Sequence, residues 1–501
     1  MNLYPRRPLF NRKPQSNIYR MFLWIIMILA LVWMLQQMNK GEIQPLFLAT
    51  PTPTRSAESH ALEGDANFTS GKLDAAILSY EEAVRVDPND SESWAKLARI
   101  QTYSSAFLIT NEQKKERLLT ALESARKAVE LAPDDSTSHA ILAFALDWNA
   151  DPDIYKDDLN QVQKFLVEAE QEANIALQKD NSNTLALAYY AEVLLDQDKW
   201  GQAEENIDLA LQHPDADQLM DVHRINAYLL ETLGQYNLAI TEYEKAIEIE
   251  PNFTFLYRRA GANYRVLAYD MQLRQGEDAA RPIFEKSLEY FDEAAKINER
   301  IGVKDSGPYL SIARTYSQLG EYFAAARNVQ KALEFDPTNP DIYGQLGIVF
   351  FRSRNYEGAR DTLKCATYGC SGEDSCKGRG LDKCYTDPSL APENRENPVD
   401  IQPLGLSPNT VVYYYTYGSV LAALSRPRDN KCGEAMQVLG DVRSELDANP
   451  DAYADGYQTI LSIVQAGEEI CASLAEDGTP VSTVPGEAGD VMTEMTATPT
   501  P

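Results

Sequence analysis

Cysteine is missing from the chain before residue 365, and histidine occurs only 4 times in 501 residues. Disulfide staples and thiolate chemistry are thereby excluded over most of the length. No glycine-rich phosphate loop, nucleophile elbow, HExxH sequence or paired metal-ligand motif is present. Isolated carboxylates are plentiful, with 75 Asp and Glu against 46 Lys and Arg, and solvated faces account for them. The chain therefore reads as a non-enzyme without cofactor or metal.

Acidic residues are missing from residues 1–20, which hold Arg6, Arg7, Arg12, Lys13 and Arg20. The net charge is −29, so the rest of the chain carries −34. Such a field repels nucleic acid and anionic lipid headgroups, and it suits a hydrated domain held away from a membrane surface.

What is present is repetition. Tyr309, Tyr322, Ala325 and Ala332 return 34 residues later as Tyr343, Tyr356, Ala359 and Ala366. Within the unit, large residues fall three or four apart, as on one helix face, and Gly320 stands where a turn needs a residue without Cβ. Ala325 and Ala332 let two helices approach closely, and Pro337 stops the second.

The pattern Tyr309-x2-Ile312-Ala313-x2-Tyr316-x3-Gly320-x-Tyr322-x2-Ala325-x6-Ala332-x4-Pro337 resembles the tetratricopeptide repeat. The resemblance implies an all-α, right-handed α-solenoid of about nine helix pairs, covering most of residues 58–475. Unit one carries Gly64, Ala76, Tyr80, Ala83 and Pro88; unit two carries Trp94, Ala121, Ala128 and Pro133, with extra residues between its helices. Unit three follows with Ala143, Ala169 and Ala176, unit four with Ala203 and Ala210, and unit five with Ala227, Gly234, Ala239, Ala246 and Pro251. Unit six has Tyr257, Gly261, Phe291 and Ala294 around a second insertion, and units seven and eight are those quoted first. A divergent ninth has Tyr414, Gly418, Ala435 and Pro450, and Tyr457 to Leu474 reads as a closing helix over the last apolar face. His60, His139 and His223 occupy the first large packing position of their units in place of Trp or Tyr, and His213 falls in a turn.

Residues 21–38 form an uncharged apolar run that the sequence predicts to be a transmembrane signal anchor. Phe47-Leu48-Ala49 is a poor cleavage pattern, and Pro8 directly after Arg6-Arg7 disfavours a twin-arginine signal. The basic flank keeps residues 1–20 cytoplasmic and sends the rest outward. Residues 39–57, with Thr/Pro alternation over 49–54, form a stiff linker, and residues 476–501 an acidic Thr/Pro tail without fixed structure. The sequons at Asn67 and Asn252 are short patterns inside helical units and carry little weight.

Cys365, Cys370, Cys376 and Cys384 cluster in a Gly/Asp/Pro-rich loop at 365–405, and an even count beyond a membrane reads as disulfides. Four thiolates could instead bind zinc, but the spacings lack C-x2-C knuckles. Cys432 opens the second helix of unit nine and Cys471 ends the closing helix, so these two converge.

The tetratricopeptide resemblance places the first helix of each unit along a concave groove, and its free positions hold Arg224, Arg258, Arg265, Arg314 and Arg352. These five arginines are expected to form a basic stripe that binds an acidic protein or peptide; the opposing expectation pairs each with a carboxylate such as Asp221 or Glu231. The function expected is that of a membrane-tethered extracytoplasmic scaffold. Two alternatives are a self-associating structural envelope component and a non-catalytic subunit that positions substrate for a membrane enzyme.

Overall fold

The computed structural model describes residues 17–39, 55–108, 111–156, 158–380, 398–454 and 456–477. The linker at 49–54, the tail beyond 477 and Cys384 lie outside these residues. The described residues contain 21 α-helices and no strand. They fall into two units, Met1–Ser56 and Ala57–Pro501.

The first unit contains α1 (Ile18–Asn39), 22 residues long, with no acidic residue in its first turn and no basic residue in its last. Its Ile18–Gln37 stretch is apolar enough to cross a membrane, and its side chains are exposed.

The second unit is a succession of antiparallel helix pairs. They are α2 (Ala57–Thr69) with α3 (Leu73–Val86), α4 (Ser91–Ser105) with α5 (Asn111–Leu131), and α6 (Ser136–Asn149) with α7 (Leu159–Lys179). Next come α8 (Thr184–Asp196) with α9 (Trp200–Leu211), α10 (Met220–Thr232) with α11 (Tyr236–Ile249), and α12 (Thr254–Gln275) with α13 (Glu277–Ile301). Then follow α14 (Gly307–Gln318) with α15 (Tyr322–Phe335) and α16 (Pro340–Arg352) with α17 (Tyr356–Thr367). After a short α18 (Gly372–Gly378), α19 (Val411–Leu424) pairs with α20 (Cys432–Ala448), and α21 (Tyr457–Asp477) packs on both. The extra residues expected between the helices of units two and six lengthen α5, α12 and α13, since each inserted stretch continues the helical pattern.

Alanine fixes the distance within each pair. Ala76, Ala121, Ala169, Ala203, Ala239, Ala325 and Ala359 are each fully buried, as are their partners Ala83, Ala128, Ala176, Ala210, Ala246, Ala332 and Ala366. The join between pairs uses a second recurring device. Trp94 Nε1 donates to the Pro88 carbonyl, Tyr257 OH to Pro251 and Tyr343 OH to Pro337, each at 3.0 Å, and His139 Nε2 lies 3.0 Å from the Pro133 oxygen. Trp, Tyr and His are interchangeable here because each puts an apolar ring between helices and a polar hydrogen six residues back. Asp90, Asp135, Asn183 and Asn339 cap the first helices of units two, three, four and eight.

The tight turns inside units four, five, seven and eight each contain a left-handed residue. Gly234 (φ 71°) and Gly320 (φ 73°) supply it freely, whereas Asp198 (φ 58°) and Arg354 (φ 62°) hold the same place with a side chain.

Units one and six meet. Asn252 Nδ2 donates to the Thr69 carbonyl, 183 residues away, at 3.0 Å, and the Phe68 and Phe253 rings meet at a tilt with centroids 6.3 Å apart. Gly71 (φ 76°) lies so near that a Cβ there would overlap the Asn252 carbonyl oxygen. The two Asn-Phe-Thr segments, 67–69 and 252–254, thus face each other across one seam. Beside it is a cavity of about 470 Å³, lined in part by Lys72, Phe107, Phe253, Asn298 and Lys304.

Arg354→Gly is expected to stabilise the repeat domain by roughly 1 kcal/mol by relieving the left-handed backbone, read as a rise in Tm. Gly71→Ala should cost about 1–3 kcal/mol for the reverse reason and loosen the seam, read as faster amide exchange in α2.

Candidate partner-binding face

The inner face of units two to five is filled by its own side chains. Arg99 on α4 is ion-paired with Asp221 on α10, which also accepts hydrogen bonds from the Tyr103 hydroxyl and, at 2.7 Å, from Tyr189. Arg224 is 3% exposed, and its two Nη atoms donate to the two Glu192 oxygens at 2.6 Å each. Its Nε donates to Tyr103 OH at 3.0 Å, and Trp148 Nε1 donates to Glu192 at 3.2 Å. Arg259 on α12 pairs with Glu231 at 3.0 Å. Aromatic rings floor this network, with Phe144 stacked on Tyr189 at 4.5 Å and Tyr103 edge-on to Phe253 at 5.2 Å.

Burial alone would raise the Asp221 carboxyl, yet Arg99 and Arg224 hold it down at about 2. Its contribution to stability is therefore complete above the ordinary carboxylate range and lost as pH falls toward 2. Glu242 behaves alike: burial opposes ionisation, but hydrogen bonds from His223 and Lys245 keep it at about 2.

Arg224 is thus not part of an open basic stripe. It is locked to Glu192 because a buried guanidinium without a carboxylate would lose its hydration uncompensated. The carboxylates expected as partners are engaged as well, Asp221 by Arg99 and Glu231 by Arg259.

Units six to eight differ. Arg258 lies 3.7 Å from Asp305 and packs over Gly307, where a Cβ would stand 2.7 Å from its Cζ. Arg265 reaches only the Ser311 carbonyl at 3.4 Å and the Phe291 ring at 5.4 Å. Among the described residues no carboxylate comes within ion-pair distance of Arg265 or of the exposed Arg314. Burial, together with the Arg314 charge, pushes Arg265 down to about 9, so it stays cationic at neutral pH. Further along, Asp341 is occupied by the Tyr413 hydroxyl and Gln345, both at 2.7 Å. Burial lowers the half-buried Arg352. The face therefore brings Arg265 and Arg314 together, with Arg258 and Arg352 on flanking turns.

The histidines serve structure. His139 and His223 are buried, with Nδ1 2.6 Å from Glu172 and 2.7 Å from Glu242 respectively. Cys365 and Cys370 are joined by a disulfide with Cα atoms 4.7 Å apart. Cys432 and Cys471 are likewise joined, at 5.3 Å, tying α20 to α21; Cys376 is disulfide-bonded as well. Among the described residues no three His, Cys, Asp or Glu side chains gather to hold a metal.

The filled inner face answers the opposing expectation for Arg224, although its partner, Glu192, was not among the carboxylates named. Its signal was complementary charge on the first helices, Arg99 with Asp221 and Glu192 with Arg224, but these pairs lie 122 and 32 residues apart. Glu192→Leu is expected to cost about 3–5 kcal/mol by stranding Arg224, and adding Arg224→Met should restore part of that loss. Chemical denaturation of the two variants measures both values.

Residues 313–353 match the family described as TPR repeat, and residues 57–90 and 227–253 match that described as tetratricopeptide repeat. A Hsp70-Hsp90 organizing protein of Triticum aestivum is 24% identical over 210 residues, which is 38% of this chain and 36% of that protein. The match thus spans well under half of the relative's length. A thermophilic TPR protein of Thermus thermophilus is 21% identical, covering 42% of this chain and 98% of its own, with a TM-score of 0.33. Human IFIT1, solved as a dimer with m7Gppp-AAAA, is 16% identical, with 88% and 93% coverage and a TM-score of 0.44. The matched segments coincide with α2–α3, α10–α11 and α14–α16, so by sequence and by helix pairing together the chain carries tetratricopeptide repeats.

Proposed function

We propose that the chain is a membrane-tethered scaffold that holds an acidic protein segment on the inner face of units six to eight, with its repeats outside the cytoplasm. The observation that carries this reading is the pair Arg265 and Arg314. Arg99, Arg224 and Arg259 each meet a carboxylate, whereas these two meet none among the described residues. An acidic segment laid along the face supplies the absent anions, and guanidinium groups grip carboxylates through two parallel hydrogen bonds. Rigid helical faces suit this task because few side chains must be ordered on binding. The wheat relative, named as an organizing protein for Hsp70 and Hsp90, supports a scaffold role.

The tether rests on α1. Its 22 residues are roughly 33 Å long at 1.5 Å each, enough for a hydrocarbon core of about 30 Å. The basic residues Arg6, Arg7, Arg12, Lys13 and Arg20 favour an orientation with residues 1–20 in the cytoplasm and the repeats outside. Disulfides at Cys365–Cys370 and Cys432–Cys471 fit an oxidising compartment.

Arg265→Glu with Arg314→Glu should weaken capture of an acidic partner at least ~10-fold, through reversal of two short-range charges, with little change in Tm. Equal capture by parent and variant would refute the docking face. For topology, protease added to intact spheroplasts should remove the repeats. A protected repeat domain would refute the outward orientation.

A further inference from the structure

Asp147 lies near the end of α6, on the inner face of unit three. It is 2% exposed, and neither of its carboxylate oxygens has a hydrogen-bond partner. A carboxylate in that setting loses its hydration and gains nothing in return, so the neutral acid is favoured.

Among the surrounding groups only Arg224 favours the ionised form. From α8 come Glu192 and Asp196, and from α10 come Arg224 and Tyr228; no charged group on α5 or α7 acts on it. Tyr103 of α4 is turned to Arg224 and Asp221. Arg224 is the one cation in this set, and Glu192 already engages both its Nη atoms. Asp147 thus shares this one guanidinium with Glu192 and Asp196, and Asp196 alone has a second, Arg259, to favour its charge.

Burial, then the charges of Asp196 and Glu192, hold Asp147 well above the usual carboxylate range. Burial and Glu192 push Asp196 up to about 7, although Tyr228 donates to it at 2.9 Å. Asp196 is open to solvent along one edge and Asp147 is sealed, so the larger effect belongs to Asp147.

We propose that Asp147 is a proton-binding site whose occupancy keeps the inner wall of units two to five closed, and whose loss of the proton loosens that wall. Ionised Asp147 competes with Glu192 for Arg224, which is linked through Tyr103 to the Arg99–Asp221 pair. The sign is opposite to that of Asp221. A carboxyl raised in the folded state contributes stability that is full below its unfolded value and lost as pH rises through the folded one. The wall is therefore weakest on the alkaline side.

The test uses the full chain in lipid nanodiscs, measuring Tm and rate-corrected amide exchange in α6 and α8 from about pH 5 to about pH 9. In the parent, Tm should fall across this range while exchange in α8 rises ~10-fold or more. Asp147→Asn should flatten both curves and raise Tm at the alkaline end. A parent-like slope in Asp147→Asn overturns the proposal. Infrared spectroscopy of the parent at neutral pH provides a second readout that needs no variant to fold: a protonated-carboxyl stretching band is expected. Its absence also overturns the proposal. The band should keep its main component in Asp196→Asn and lose that component in Asp147→Asn, where only the fraction held by Asp196 is left.

Discussion

A residue no larger than alanine at the crossing of each helix pair is the constraint on which the rest depends. With Ala239 and Ala332 fully buried in their pairs, two backbones come close enough for neighbouring pairs to stack at a constant offset. A chain of such offsets is a solenoid, and each step needs only its neighbours for support. The ring-and-carbonyl link from Trp94, His139, Tyr257 and Tyr343 to the residue six before then fixes how one pair follows the next.

Constant offsets carry the chain round until unit six reaches unit one. Gly71 and Asn252 touch there because glycine lets two turns approach. The curvature also turns the first helices of units two to five toward one another and removes their side chains from water. Polar groups so enclosed must find partners. Arg99, Asp221, Arg224 and Glu192 do so, and Asp147 does not. Beyond unit six the first helices are no longer opposed, and Arg314 stays exposed on a face of its own.

The helix pairs and their order were legible in the sequence because they follow from contacts three, four or 34 residues apart. Gly320, Ala325 and Pro337 each act on their immediate neighbours, so their meaning survives without knowledge of the rest. The inner face was legible only as a list of positions. Arg224 and Arg314 look alike in the repeat register, and what separates them is whether another turn of the solenoid comes opposite. That depends on the accumulated curvature of several units, to which every helix length contributes. The insertions illustrate the difficulty: expected between the helices, they lengthen α5, α12 and α13 and so alter the curvature itself. The Asn-Phe-Thr segments at 67–69 and 252–254 look like modification signals in one dimension and are the two sides of a seam in three.

The division of the solenoid into a self-filled part and an open face stands or falls with that seam. Spin labels placed at Lys72 and Lys304, both exposed and both lining the same cavity, report it directly by pulsed dipolar spectroscopy on the full chain. Closure predicts one short, narrow distance distribution that persists when a partner is bound. A long or broad distribution in the unbound protein would contradict it, and would return the inner face of units two to five to the set of open binding surfaces.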